Sequence, residues 1–255
     1  MELERVTCYS EVHESMRFIS SKSTMKGEIE GDAIILGKST VGTRTLIGEG
    51  CIIGHPIRKT VKTILSDSSF KKIDLNLLSD KSNGSSIGSN VIIRSGTIIY
   101  ENTKIGDDVE TGHHVLIREN CTVGTHSRIG TNSVVDGSVK IGSEVNIQTG
   151  AYLPPGTVVG DGVFIGPCTI ITNDLYPPSP KISGVTIEKN ATIGAGSILI
   201  AGITVGERAM VASGSVVTKD VPKNTVVMGC PSRTHLTRKE YDSKQAEYLK
   251  ESKKH

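Results

Sequence analysis

Aliphatic residues recur at every sixth position along most of this chain, and few folds can accommodate such a count. Ile87, Ile93, Ile99, Ile105, Ile117, Val123, Ile129, Val135, Ile141, Ile147, Leu153, Val159, Ile165 and Ile171 keep the step, and only Thr111 within that series is not aliphatic. Ile29, Ile35, Val41, Ile47 and Ile53 keep it earlier; Ile187, Ile193, Leu199, Val205, Val211 and Val217 resume it later. An amphipathic helix repeats its apolar face at about 3.6 residues and a single strand at 2, so neither explains a period of six.

A second register supports the first. Four residues after each aliphatic come Val91, Thr97, Thr103, Val109, Val115, Cys121, Ser127, Ser133, Val139, Val145, Ala151, Thr157, Val163 and Thr169, all small or β-branched. Gly often follows the aliphatic directly, as at Gly88, Gly106, Gly124, Gly130, Gly142, Gly160, Gly166, Gly194 and Gly206. These registers predict a coil of short strands. In each hexad two residues two apart point the same way, as strand geometry requires. The other positions bend, where Gly and Asn tolerate unusual dihedrals. Three strands close a triangle, so one turn takes eighteen residues, and turns stack at about the 4.8 Å interstrand spacing. Identical aliphatics then pile into a thin core with no room for large rings. The composition agrees: aromatics are 4%, Trp is absent and Gly numbers 28.

Lys plus Arg is 29 against 27 for Asp plus Glu, a balance that argues against nucleic acid as a partner. Cys8, Cys51, Cys121, Cys168 and Cys230 form no CxxC pair, so the expectation is a reduced, cytoplasmic chain without a zinc ribbon or disulfide frame. The opening MELERVTCYSEVHES is too polar for a signal peptide, and no apolar run approaches the ~18 residues of a membrane span.

Two interruptions break the count. One lies between Ile53 and Ile87, over about residues 55–86, and its Leu and Ile spacing permits a short helix or hairpin. The other covers about 172–186, where Tyr176 and three prolines give a loop stiff enough to shape a pocket. Residues 234–255 lose the repeat and read as a charged helix capping the last exposed strand edge.

The pattern [LIV]-G-x-x-[STAV]-x resembles the hexapeptide-repeat acyltransferases over about residues 29–54 and 87–233. That resemblance implies an all-β fold: a left-handed parallel β-helix over residues 1–233 with two inserted loops, followed by the C-terminal α-helix. It also implies a homotrimer and acetyl-CoA as co-substrate. The stretch NATIGAGSILIAGITVGERAMVASGSVVTKDVPKNTVVMGCPSR is similar to the CoA-binding coils of the family. Carried over by position, Gly196, Ala201, Ala212 and Ser213 would meet the pantetheine arm through backbone groups, with Lys219 and Arg233 near the phosphates.

In TGHHVLIREN, His113 precedes a repeat aliphatic by four, an offset that resembles the catalytic histidine of the family's sugar-nucleotide acyltransferases. His113, with His114 beside it, is the candidate base for an attacking amine or hydroxyl; a solvated corner histidine is the competing reading. His126 lies eighteen residues from both Asp108 and Glu144, a ladder that favours the charged imidazole and a stabilising role. The segment VGDGVFIGP…TNDLYP resembles the amino-sugar N-acetyltransferases that act on nucleotide-linked sugars. Tyr176-Pro177 stands where galactoside-type O-acetyltransferases have His-Pro. Asn173, Asp174 and Tyr176 would face the sugar. Gln148 would too, although Gln148-Thr149-Gly150 departs from the branch's Gln-Asn-Asn. The expected activity is acetyl transfer to the amine of a nucleotide-linked amino sugar, with no metal, nucleic acid or membrane involved. O-acetylation of a sugar hydroxyl is the alternative. A γ-class carbonic anhydrase would typically carry a His-x4-His pair that is missing here, and a non-enzymatic scaffold would not bind CoA.

Overall fold

A computed structural model describes residues 17–67 and 72–251. Cys8 and the polar opening segment lie outside the described residues. The described chain winds into a three-sided column. Its sheets contain ten, nine and eleven strands, and within the column each strand is hydrogen-bonded to the strand one turn away; only the final two, Thr225–Met228 and Arg233–Thr237, pair as sequence neighbours. The first face runs from Phe18–Ile19 to Val216–Val217, the second from Thr24–Met25 to Thr204–Val205, and the third from Glu28–Ile29 to Arg233–Thr237. Pairing within the column is parallel at a register of eighteen, as in Leu116 opposite Val134 and Ile117 opposite Val135. We call the corner from third to first face the leading edge of the first face, and the corner from first to second its trailing edge.

Most strands are two residues long, the first pointing out and the second in. Ile35, Ile47, Ile53, Ile93, Ile99, Ile117, Ile129, Ile147, Leu153, Ile165 and Ile171 are fully buried in one continuous stack. Each such side chain contributes on the order of 2–3 kcal/mol through burial. The second register lines the corners from inside. There its hydroxyls donate to carbonyls that the ladders leave free, as in Thr103 to Arg118 O at 2.8 Å and Ser127 to Gly142 O at 3.0 Å. Thr111, the break in the aliphatic series, stays buried because its hydroxyl oxygen accepts the Arg94 N–H at 3.0 Å.

The column begins earlier than the repeat suggests. Phe18 pairs with Ile34, sixteen residues on, because the first turn omits part of a corner. Lys26 and Gly27 alone join two strands there. Gly27 permits it, since a Cβ at that position would lie 2.5 Å from the Thr45 carbonyl oxygen.

Among its described residues the first insertion forms two helices, α1 (Arg58–Leu65) and α2 (Leu75–Lys81), the helical one of the two expected alternatives. Asp74 caps α2 by accepting the Leu77 N–H at 2.8 Å. Glu101, 1% exposed, accepts N–H groups from Ile57 at 2.8 Å and Asn83 at 2.7 Å. One buried carboxylate thus fastens both ends of the insertion to the column.

The C-terminal reading needs a correction. Arg233–Thr237 is a strand, antiparallel to Thr225–Met228, and α3 begins only at Arg238 and runs to Glu251. The last edge of the third face offers free backbone groups that a strand satisfies directly. The helix then starts at a reciprocal cap: Glu240 accepts the Thr237 N–H at 2.7 Å, and the Glu240 N–H donates to the Thr237 hydroxyl at 3.3 Å. No helix among the described residues is long and apolar enough to cross a membrane.

Candidate functional site

The residues singled out by sequence divide between the two edges of the first face. His113 and His114 occupy its leading edge, before Leu116–Ile117. Both are exposed. The His113 N–H donates to the Thr131 hydroxyl at 3.3 Å, which fixes the backbone and leaves the imidazole outside the ladder. His114 has φ 54, a left-handed conformation that His tolerates better than most residues. Its ring lies over Gly96 one turn back, in the space a Cβ there would need. The two imidazole centroids are 6.5 Å apart.

Further along the same edge the column of corner residues thins to Gly150, Cys168, Gly196 and Gly214, all at positive φ. A Cβ added at Gly196 or Gly214 would meet nothing within 4 Å. This strip is therefore open to an approaching chain. Ala212 and Ser213 lie at the same corner, between Met210–Val211 and Val216–Val217. Ala201 and Lys219 do not: they lie on the trailing edge of the first face. Ala201 is 6% exposed, and its N–H donates to the Thr172 hydroxyl at 2.9 Å. Arg233 is exposed and donates to the neighbouring Ser232 carbonyl at 2.9 Å.

The loop after Ile170–Ile171 also leaves from the trailing edge. His113 and the corner at Pro167 are 54 residues, or three turns, apart, which is about 14 Å along the column. One chain thus does not bring His113 together with Asn173 and Asp174. Both side chains also have partners within the chain. Asp174 accepts from Ser179 N–H at 2.7 Å, the Ser179 hydroxyl at 2.9 Å and Tyr176 N–H at 3.0 Å. Desolvation pushes its pKa up, but these hydrogen bonds from Ser179 and Tyr176 together bring it below the ordinary carboxylate value. The Asn173 amide donates to Pro155 O at 3.2 Å. Asp174 thus holds the loop's shape and Asn173 ties its start to the column, roles the sequence does not announce. The Tyr176 side chain, in contrast, projects into solvent with the residue 81% exposed. Gln148 lies near the leading edge, two turns from His113, and its amide donates to Asn146 Oδ1 at 2.6 Å.

His126 pairs with Asp108, Nδ1 to Oδ2 at 3.8 Å, on the corner between second and third faces. That corner is remote from both edges of the first face, which suits a stabilising role. Cys51 and Cys121 are buried in the core, and burial raises the Cys51 thiol to about 11, so it stays protonated and inert. Among the described residues no group of three His, Cys, Asp or Glu side chains is placed to hold a metal ion.

Sequence reasoning missed one cluster. Arg118 on the trailing edge bonds Glu119 with two nitrogens, at 2.9 and 3.1 Å, and reaches Asp136 Oδ1 at 2.8 Å. The Tyr152 hydroxyl donates to Asp136 Oδ2 at 2.9 Å. The guanidinium also lies 5.7 Å from the centre of the Tyr100 ring, which packs on His55. Desolvation would lower the Arg118 pKa, but Asp136 and Glu119 hold it above its ordinary value. The signal was available as a polar residue directly after the buried aliphatic in turns eighteen apart: Tyr100, Arg118 and Asp136.

Comparison with known proteins bears on this geometry. A repeat family described as bacterial transferase hexapeptide (six repeats) matches residues 84–119, 102–137 and 138–173. A second, the hexapeptide repeat of succinyl-transferase, matches residues 184–219. A 2,3,4,5-tetrahydropyridine-2,6-dicarboxylate N-acetyltransferase from Halalkalibacterium halodurans is 48% identical over 75 residues, 29% of this chain and 30% of that protein. The chain therefore matches under a third of that curated relative's length. A crystal structure of a hexapeptide transferase family protein from Anaplasma phagocytophilum shares 23% identity, over 53% of this chain and 78% of that one, with a TM-score of 0.45. The UDP-N-acetylglucosamine acyltransferase of Francisella novicida shares 20% identity over 91% of this chain and 72% of its own, with a TM-score of 0.39.

Proposed function

This chain is a hexapeptide-repeat protein of the bacterial transferase family, and on that premise we propose that it transfers an acyl group, acetyl foremost, from coenzyme A to the amine of a nucleotide-linked amino sugar. The open glycine strip on the leading edge carries the reading. Gly196 and Gly214 present bare backbone to solvent on the same edge as His113. A pantetheine arm needs such a track, because side chains would hold it off the backbone groups that bind it. The H. halodurans relative, named as an N-acetyltransferase, supports transfer to nitrogen. Transfer to a hydroxyl is the second reading, and exposed His113 suits either acceptor.

In the reaction the acceptor nitrogen attacks the thioester carbonyl. The N–H groups of Gly196 and Gly214 already donate to Pro167 O and Ala195 O, both at 2.8 Å, so a neighbouring corner N–H, that of Ala195 or Ser213, meets the oxyanion, a contact worth roughly 3–4 kcal/mol in comparable sites. Collapse of the tetrahedral intermediate breaks the carbon–sulfur bond and releases CoA. His113 takes the proton lost by nitrogen, and the departing thiolate is protonated in turn. Gln148 and the ring of Tyr176 line the acceptor side, and Asn173 and Asp174 keep the Tyr176 loop in shape. Lys219 and Arg233 supply cations for the CoA phosphates.

These groups lie on both edges of the first face, so a working site needs more than one copy; we propose a homotrimer. The outward residues of that face, including Ile34, Ile52, Ile98, Leu116, Val134 and Ile198, give it an apolar surface suited to self-association. A mass-spectrometric screen tests the whole reading. Acetyl-CoA is offered with a panel of amino and hydroxy nucleotide sugars, and acetylated product and free CoA are measured. Product with amino sugars alone supports transfer to nitrogen. CoA that neither reacts nor raises the melting temperature leaves a scaffold as the function.

A further inference from the structure

The first face carries opposite chemistry on its two edges at the same height. Within one turn, His113 and His114 precede the strand Leu116–Ile117, and Arg118 and Glu119 follow it. Arg118 is shared by Glu119 and Asp136, so one cation meets two carboxylates and the cluster keeps a net negative charge. The Glu119 side chain is 21% exposed, and its oxygens retain lone pairs beyond those used by Arg118. The half-buried apolar side chains of Ile98, Leu116 and Val134 lie between the edges.

In one chain these groups cannot meet. The four residues from His114 to Arg118 span about 13 Å of extended backbone, with the face between them. Two copies can join them. A head-to-tail contact closes into a ring when its rotation allows, and a ring axis parallel to the columns preserves height. The leading edge of one copy then meets the trailing edge of the next at the same turn, histidine against carboxylate. Ten strands stacked at about 4.8 Å make a strip about 45 Å long. At about 13 Å wide it offers roughly 590 Å² on each copy, or about 1,200 Å² over both, above the roughly 1,000 Å² total that a specific interface clears.

We propose that the first face is covered head to tail by a second copy of this chain, and that Glu119 accepts a hydrogen bond from the imidazole of His113 of the partner subunit. The carboxylate fixes the ring's orientation and tautomer and stabilises the imidazolium formed when the base takes its proton. Arg118, Asp136 and the Tyr152 hydroxyl hold Glu119 in place, and His114 flanks His113. Glu119 is thus a positioning residue. The role given to His113 rests on the acyl-transfer reading; the pairing itself does not.

The first test needs no substrate. In the full-length chain, His113→Cys and Glu119→Cys are introduced together and separately, then oxidised and run on a non-reducing gel. Cysteines at these positions in one chain lie beyond the ~7 Å Cα separation that a disulfide spans. Covalent multimers are expected in the double variant alone; the single variants control for exposed Cys168 and Cys230. A double variant that sediments as an assembled oligomer yet runs as a monomer overturns the pairing. Wild-type protein that sediments as a monomer overturns the covered face.

The second test co-expresses His113→Ala with Glu119→Gln chains. Random mixing restores both groups at up to about a quarter of the seams. Glu119→Gln alone is expected to keep well under about a third of wild-type transfer, so the mixture should rise above either variant alone; no rise overturns the proposal. Glu119→Gln by itself should lower kcat and shift its pH profile while leaving KM for acetyl-CoA near wild type, and Glu119→Asp should recover part of the loss. If wild type transfers no acyl group to any acceptor, the acyl-transfer reading fails and the cross-link still decides the pairing.

Discussion

The first and second faces of the column share one core and differ on the outside. Inward, Ile117 and Val123 are equivalent members of the same buried stack. Outward, the first face shows Ile52, Ile98, Leu116, Val134 and Ile198, whereas the second shows Thr40, Ser86, Lys104, Thr122 and Lys140. The core fixes the inner position of every strand, so only the outer position is free to differ between faces. Evenly spaced Thr and Lys suit water. Consecutive Ile, Leu and Val along about 45 Å of column suit another protein surface. A solenoid with one aliphatic code inside can thus assign a separate task to each side.

The largest effect should come from reversing the outer character of one strand on each face. Leu116→Arg places a charge in the middle of the apolar face and is expected to leave the protein monomeric in sedimentation velocity. Thr122→Arg on the second face should leave assembly unchanged. Equal behaviour of the two variants would remove the distinction between faces. The next effect belongs to the shared interior. Ile147→Ala opens a cavity in a fully buried stack and should cost about 2–5 kcal/mol in denaturant unfolding. That loss should persist in a Leu116→Arg background, because the core does not depend on what covers the face.

The column was legible in the sequence because one position in six has no alternative. A polar residue there faces a dry interior, and even Thr111 is tolerated only with a hydrogen bond to Arg94 N–H. The corners were legible for the same reason, through Gly, Asn and small hydroxyl residues. The insertion was not, since its two helices depend on Glu101, a residue outside the segment and far along the chain from Ile57. The strand before α3 was hidden as well, because free backbone at the end of a sheet leaves no mark in side-chain pattern. Of the candidate site, the sequence marked His113 and, in the strip, Gly196, Ala212 and Ser213, but not Gly214 and not how these residues are placed. Asn173 and Asp174 read as ligands for a substrate; in the structure Asp174 bonds within its own loop and Asn173 bonds Pro155 O on the column. Arg118 and Asp136 passed unnoticed because they directly follow the buried residue of their strands, a corner position that neither register constrains.

A finer comparison lies along the leading edge itself, between the open strip and the corners beside it. Gly196 has φ +64 and open space around a hypothetical Cβ. Gly196→Ala therefore meets no atoms, and its cost is the left-handed backbone alone, about 1–2 kcal/mol in unfolding measurements. Gly196→Asn should cost less, since Asn tolerates that conformation, as Asn132 does on the same edge at φ 57. If the strip is the CoA track, the order reverses for binding. The longer Asn side chain should raise KM for acetyl-CoA more than Ala does. A KM that follows stability would instead mean that glycine serves only the turn.

The smallest expected effect sharpens the contrast where polar groups interrupt the apolar face. Tyr152→Phe removes a hydroxyl bonded to Asp136 at 2.9 Å and should cost about 1 kcal/mol at neutral pH. Burial first, and then the bond and charge of Asp136, raise the Tyr152 pKa to about 12 from the ordinary 10. The folded state therefore holds the phenol proton more tightly than the unfolded chain does. The resulting stability is fully present below pH 10 and is lost as pH rises towards 12. The melting temperature of wild type should accordingly fall more steeply between pH 10 and 12 than that of Tyr152→Phe, a comparison that cancels the titration of every other group. Parallel curves would mean that the phenol proton is held no more tightly in the folded chain than in the unfolded one, and that the polar island in this face is weaker than its distances imply.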